Sequence, residues 1–151
     1  VQVIYEHGGT IDKFIGDAVM VIFGAPTPMT GKEQAKHAAA CALAMQEKMK
    51  ELNQGWQKEK IPELKMRIGV HHGPLVVGTF GCEERSDYTA IGPSVNLASR
   101  IETACEPGSI YVSQEVREQL NDDPPTDLAG EFELKGIEGK TSLYQVVSDN
   151  S

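Results

Sequence analysis

The sequence predicts an α+β fold, and three observations carry that expectation. Strand-like and helix-like segments are mixed along the chain without strict alternation. Two apolar, β-branched runs are divided by a single Gly16-Asp17 pair. One long Ala-rich stretch carries apolar residues at helical spacing. Elements in this arrangement predict a sandwich with helices packed on one face of a sheet.

Each element has a local reason. Residues 1–6 carry Val1, Val3, Ile4 and Tyr5, and His7-Gly8-Gly9 follows, the pattern of a helix reaching its C-terminal end. Residues 10–15 and 18–23 flank Gly16-Asp17 and form a strong hairpin signal. Gly24-Ala25-Pro26 and Pro28 then stop the second strand. Over residues 32–56, Ala38, Cys41, Ala42, Met45 and Met49 recur at three- and four-residue steps, so a long amphipathic helix is expected. Residues 64–71 read as a strand turned by Gly73-Pro74, and 75–79 and 88–91 as two more. Gly92-Pro93 leads into a helix over 94–103, with Pro93 where a first turn tolerates it. A strand at 110–112, a short helix at 114–120 and a Pro-rich acidic loop at 122–127 follow. Residues 132–134 and 142–147 are expected to close a hairpin around Lys135-Gly136-Ile137.

The totals narrow the function. A chain of 151 residues is one domain by size, residues 1–151. Its net charge of −8 argues against a general nucleic-acid surface, which needs clustered excess Lys and Arg. A few local cations can still hold a small anion. Cys41, Cys82 and Cys105 are odd in number and form no C-x-x-C pair, which fits free thiols in a reducing, cytoplasmic setting. Cys82, near a Gly-rich stretch, reads as a small packed residue. No apolar run approaches the roughly 18 residues that span a bilayer, and no signal-peptide pattern is present.

Several side chains could handle phosphate, and each also has an ordinary explanation. Asp17 in the hairpin tip is good turn chemistry, or a carboxylate held out for a hard cation such as Mg²⁺. Lys13 shares a strand face with Ile11 and Ile15 by simple alternation, so it either snorkels at an edge or lines a cleft. Asn96 and Arg100 stand four apart on one helix face. They are either solvated polar residues or a pair aimed at a phosphoryl group, whose oxygens suit the planar guanidinium fork. Arg67 at a strand start and Lys135 in a turn are ordinary charges taken alone. His71 and His72 are adjacent, so in a strand they point apart and make a poor metal pair.

Three longer strings change the weight of these residues. They are Asp12-Lys13-Phe14-Ile15-Gly16-Asp17-Ala18-Val19-Met20, Arg67-Ile68-Gly69-Val70-His71-His72-Gly73, and Tyr88-Thr89-Ala90-Ile91-Gly92-Pro93-Ser94-Val95-Asn96-Leu97-Ala98-Ser99-Arg100. In this order they resemble the catalytic domain of class III nucleotidyl cyclases, most closely the bacterial homodimeric adenylyl cyclases, from residue 1 to about 147. The resemblance implies a ferredoxin-like βαββαβ core with additional C-terminal strands and a helix, working as a head-to-tail homodimer with ATP sites between protomers.

Carried over by motif, Asp17 is one of two metal-binding aspartates, and the site holds two divalent cations, Mg²⁺ or Mn²⁺. Lys13 and Thr89 meet adenine, Asn96 and Arg100 stabilise the transition state, and Arg67 and Lys135 bind the β- and γ-phosphates. Asp17 and Arg67 serve one site; Lys13, Thr89, Asn96, Arg100 and Lys135 serve the other. The family's second metal aspartate lies on a strand upstream of the helix ending at Gly8-Gly9, so the chain is expected to be cut from a longer multidomain protein with upstream regulatory domains. Many adenylyl cyclases have Asp where Thr89 stands, and this Thr marks a subgroup that includes bicarbonate-responsive enzymes. The rival expectation is a degenerate domain that binds nucleotide or dimerises without catalysis. Diguanylate cyclases share a related core, but their Gly-Gly-acidic signature is missing here.

Overall fold

The computed structural model describes residues 2–15, 18–24, 29–59, 65–73, 76–80, 87–91, 93–121, 124–134 and 139–147, with the backbone alone at 2, 13–15, 18, 56–57, 76–80, 87–91 and 93. The chain runs α1 (Gln2–Glu6), β1 (Thr10–Ile15), β2 (Ala18–Ile22), α2 (Gly31–Lys58), β3 (Ile68–Val70), β4 (Val76–Phe80), β5 (Asp87–Ile91), α3 (Pro93–Ala104), β6 (Ile110–Ser113), α4 (Gln114–Leu120), β7 (Thr126–Glu133) and β8 (Lys140–Val146). From α1 to β3 this is the αββαβ order of the expected βαββαβ core taken from its first helix, with further strands and helices after it.

Local chemistry explains the boundaries. The chain leaves α1 through Gly8 at φ +80°, a left-handed conformation that glycine adopts without strain. The Gly9 amide then donates to the Ile4 carbonyl at 2.9 Å. β1 and β2 pair antiparallel, as expected, but the register slips between Ile11 and Lys13. That bulge interrupts the alternation that would set Lys13 on the face of Ile11, a correction to the simple strand reading. α4 is capped at both ends: Ser113 accepts the Val116 amide, and Asn121 takes the left-handed conformation at φ 51°.

β3, β6, β8 and β7 form one sheet in that order, with β3 parallel to β6 and the other pairs antiparallel. β7 and β8 close the expected hairpin, with Glu133 opposite Lys140. β7 begins at Thr126, inside the stretch expected to be an acidic loop. Its polar outer face and the irregularity between Leu128 and Gly130 hide the strand pattern.

Helices cover both faces of this sheet rather than one. On one side Ala35, Ala39 and Ala42 of α2 and Val116 and Leu120 of α4 pack with Ile110 and Val112. On the other, Ile101 and Cys105, in and just after α3, pack with Tyr111, Leu134 and Leu143. Strand alternation sends Ile110 and Val112 one way and Tyr111 the other, so this apolar run needs a cover on each side. No described helix is long and apolar enough to cross a membrane.

Candidate active site

A cavity of about 350 Å³ lies between β2 and β3. Consecutive residues of both strands, 19–23 and 66–73, line it. Lining by consecutive rather than alternate residues means that each strand turns a backbone edge to the space. α2 closes it with Ala35, Ala38 and Met45, and α3 with Ser94, Ala98 and Glu102. The space is therefore bounded by two strand edges and two helices, the surroundings of a strand buried in a sheet.

The residues expected to act on a nucleotide are arranged around this frame. Asn96 and Arg100 lie on α3, one turn apart, Asn96 exposed and Arg100 half-buried. The cavity-lining residues Ser94, Ala98 and Glu102 occupy successive turns of the same helix. At about 100° per residue, Asn96 and Arg100 fall on the side of α3 turned away from the cavity. Arg67 is exposed immediately before β3 and borders the cavity itself. One helix thus separates Arg67 from the Asn96–Arg100 pair.

Lys13 pairs with Met20 in the β1–β2 ladder, and Thr89 pairs with Gly78 in the β4–β5 ladder. β1 lies against β5, and β5 against α3, so the elements bearing Lys13, Thr89, Asn96 and Arg100 are neighbours. Asp17 and Lys135 lie outside the described residues, as does Cys82. Among the described residues, no group of three His, Cys, Asp or Glu side chains could hold a metal ion.

The adjacent histidines part company as expected. His71 Nδ1 sits 2.9 Å from Ser113 Oγ and 3.6 Å from a Glu115 carboxylate oxygen, whereas His72 Nε2 meets Gln34 Oε1 at 3.1 Å. One imidazole ties β3 to the start of α4 and the other ties it to α2. Burial pushes the His71 pKa below its usual value; Glu115 pulls it back up and His72 adds to the lowering. Sequence reading gave His71 no specific task, because its partner Ser113 lies 42 residues away.

The free thiols expected at Cys41 and Cys105 are buried, and burial raises both pKa values above the usual cysteine range. Such thiols are poor nucleophiles, so neither offers an alternative catalytic centre.

A model of the adenylate and guanylate cyclase catalytic domain matches residues 3–148. "Adenylate cyclase 1" of Rhizobium meliloti is 36% identical over 148 residues, which are 97% of this chain and 22% of that protein. An adenylate cyclase of Anabaena cylindrica is 34% identical over 154 residues, 96% of this chain and 29% of that protein. The chain therefore spans about a quarter of the length of these curated relatives. Among solved structures, the adenylyl cyclase CyaB from P. aeruginosa superposes with a TM-score of 0.92 at 40% identity, covering 97% of this chain and 76% of that one. The guanylyl cyclase Cya2 superposes with a TM-score of 0.86 at 37% identity, covering 96% and 73%.

Proposed function

The chain belongs to the adenylate and guanylate cyclase catalytic domain family, and from that premise we propose that it converts ATP to 3′,5′-cyclic AMP and pyrophosphate. The observation that carries the reading is α3: one side is seated on β3, while the opposite side presents Asn96 and Arg100 one turn apart. In the reaction the ribose 3′-oxygen forms a bond to the α-phosphorus as the bond to the bridging β-phosphate oxygen breaks. The 3′-hydroxyl gives up its proton, and pyrophosphate leaves with the electron pair. Charge grows on the α-phosphate oxygens, where the planar Arg100 fork can donate to two oxygens at once and the Asn96 amide donates without net charge. Arg67 and Lys135 hold the departing phosphates.

Lys13 decides the base. Adenine offers N1 as an acceptor and its amino group as a donor, while guanine presents the reverse pattern at those atoms. A lysine donating to N1 favours adenine, and Thr89 can donate and accept beside it. Relatives of both nucleotide types resemble this chain, so base choice rests on these two residues. Bicarbonate activation goes with Thr89; a flat rate across added bicarbonate at fixed pH removes that part of the proposal.

Two protomers are needed for one site. Support comes from α3, which separates Arg67 from Asn96 and Arg100. A head-to-tail homodimer lets Arg67 and Asp17 of one protomer meet Lys13, Thr89, Asn96, Arg100 and Lys135 of its partner.

The domain is completed by a further strand in the cavity between β2 and β3, whose two edges and two helical walls suit it. That strand brings the second carboxylate, and it belongs to a longer protein with regulatory domains. Class III cyclases use divalent cations, which when bound neutralise charge on the phosphates. Asp17 has the hard oxygen donor such an ion takes, but the described residues alone do not assemble a metal site.

The test is direct. The domain in its native polypeptide is incubated with ATP or GTP, with Mg²⁺ and then Mn²⁺, and cyclic nucleotide is quantified at several protein concentrations. Cyclic AMP, with specific activity rising with concentration, is expected; Lys13→Glu should lose ATP turnover. Cyclic GMP would overturn the base assignment. Nucleotide binding without product would make this a regulatory domain.

A further inference from the structure

Gly69 lies in the middle of β3, opposite Tyr111 of β6. Its backbone is outside the left-handed region, so conformational freedom does not explain a glycine there. Space does. A Cβ at this position would fall on the amide nitrogen of Glu102, 2.8 Å from the Glu102 Cα and 3.0 Å from the Ala98 carbonyl oxygen. All three are backbone atoms of α3, and no rotamer change can move them. Gly73, four residues on, is different: a Cβ there meets the side chains of Ser94, at 2.5 Å, and His71, at 2.9 Å, both of which can rotate.

α3 is thus pressed onto β3 by a close backbone-to-backbone approach at Gly69. Ala98 and Glu102, the residues at that point, bracket Arg100, and Asn96 is two residues before Ala98. A helix is stiff along its hydrogen-bonded axis, so a displacement at 98–102 is transmitted to the opposite side.

We infer that Gly69 is a positioning residue: its missing side chain sets how deeply α3 seats on β3, and so where Asn96 and Arg100 stand relative to the nucleotide. The inference rests on the cyclase reading. Any side chain at position 69 lifts α3 outward, and misplacement of transition-state donors by about 1 Å lowers turnover by about a hundredfold. Substrate held by Lys13, Thr89 and the partner protomer binds as before, so KM changes little.

The experiment compares Gly69→Ala and Gly73→Ala with the wild type, each in the native polypeptide, by thermal unfolding, kcat and KM for ATP, and crystal structure. Gly69→Ala is expected to fold, to keep KM within about threefold and to lose about a hundredfold in kcat, with α3 displaced from β3. Gly73→Ala is expected to keep kcat, because two side chains absorb the added methyl. A Gly69→Ala kcat within about tenfold of wild type, or α3 unmoved in its structure, overturns the inference. So does a loss of kcat matched by an equal loss of folded protein. If Gly69→Ala does not fold, Ala98→Val wedges the same contact from the helix side, and an unchanged kcat there overturns it as well. A wild type that makes no cyclic nucleotide overturns the cyclase reading instead, and the seating of α3 is then decided by the variant structure alone.

Discussion

The four-stranded sheet and the β1–β2 hairpin are held by different means. The sheet β3-β6-β8-β7 is sandwiched between two apolar clusters, one under α2 and α4 and one under α3. Of the largest fully buried side chains among the described residues, only Ile4 lies outside α3, β6, α4 and β8. The hairpin pairs within itself and borders the cavity on its other edge. The described residues proposed to act on ATP avoid the sheet's two clusters: Lys13 belongs to the hairpin, Thr89 to the β4–β5 pair, and Asn96 to the exposed side of α3. Packing and chemistry therefore occupy different parts of the molecule, and substitutions in the two parts should fail differently.

The largest effect on stability is expected at Leu143, fully buried between β6 and β7 in the cluster under α3. Leu143→Ala removes buried methyl groups and leaves a cavity, at a cost of about 2–5 kcal/mol. Urea unfolding should show that loss, while the specific activity of the protein remaining folded stays near wild type. A loss below about 1 kcal/mol would mean the site collapses around the smaller side chain. It would also mean that the sheet is less closely packed than its burial indicates.

Arg100→Ala should show the opposite pattern. Removing a donor that acts only in the transition state is expected to cut turnover by at least about a hundredfold, or about 2.7 kcal/mol. ATP affinity should stay within a few-fold and the unfolding midpoint close to wild type. Equal turnover would remove Arg100 from the catalytic role, and an equal loss of affinity would reassign it to ground-state binding.

This division also explains what was legible in the sequence. Local signals placed most elements: Gly16-Asp17 marked the hairpin, the Ala-rich stripe marked α2, and Pro93 marked the start of α3. Motif wording indicated the family and nominated the site residues. Four features were not legible, each for a physical reason. The bulge between Ile11 and Lys13 leaves no compositional trace, so simple alternation could not register it. β7 runs through a polar, acidic stretch because it is the sheet's edge and buries few side chains. The two-sided cover of the sheet depends on β6, whose four residues are all buried, and so short a run does not say how many layers enclose it. Gly69 was hidden in the same way, because a close backbone approach is a property of two segments about thirty residues apart.

The smallest effect joins the two parts. His71 stands at the end of β3, lines the cavity and reaches the Ser113 hydroxyl that caps α4. While His71 is neutral, Nδ1 can accept the Ser113 proton as the Ser113 oxygen accepts the Val116 amide, so one hydroxyl serves both elements. Burial holds the folded pKa below the ordinary 6.5, and Glu115 partly opposes it. The unfolded chain therefore binds the proton more readily, and stability rises with pH across this interval. His71's contribution is complete above pH 6.5 and is lost as pH falls below it toward the lowered folded value. Melting temperatures of wild type and His71→Gln, compared from pH 8 to pH 5, check this. The wild type should lose stability faster than the variant below about pH 6.5. Parallel curves would show that Glu115 offsets the burial fully, leaving the link between β3 and α4 insensitive to protons.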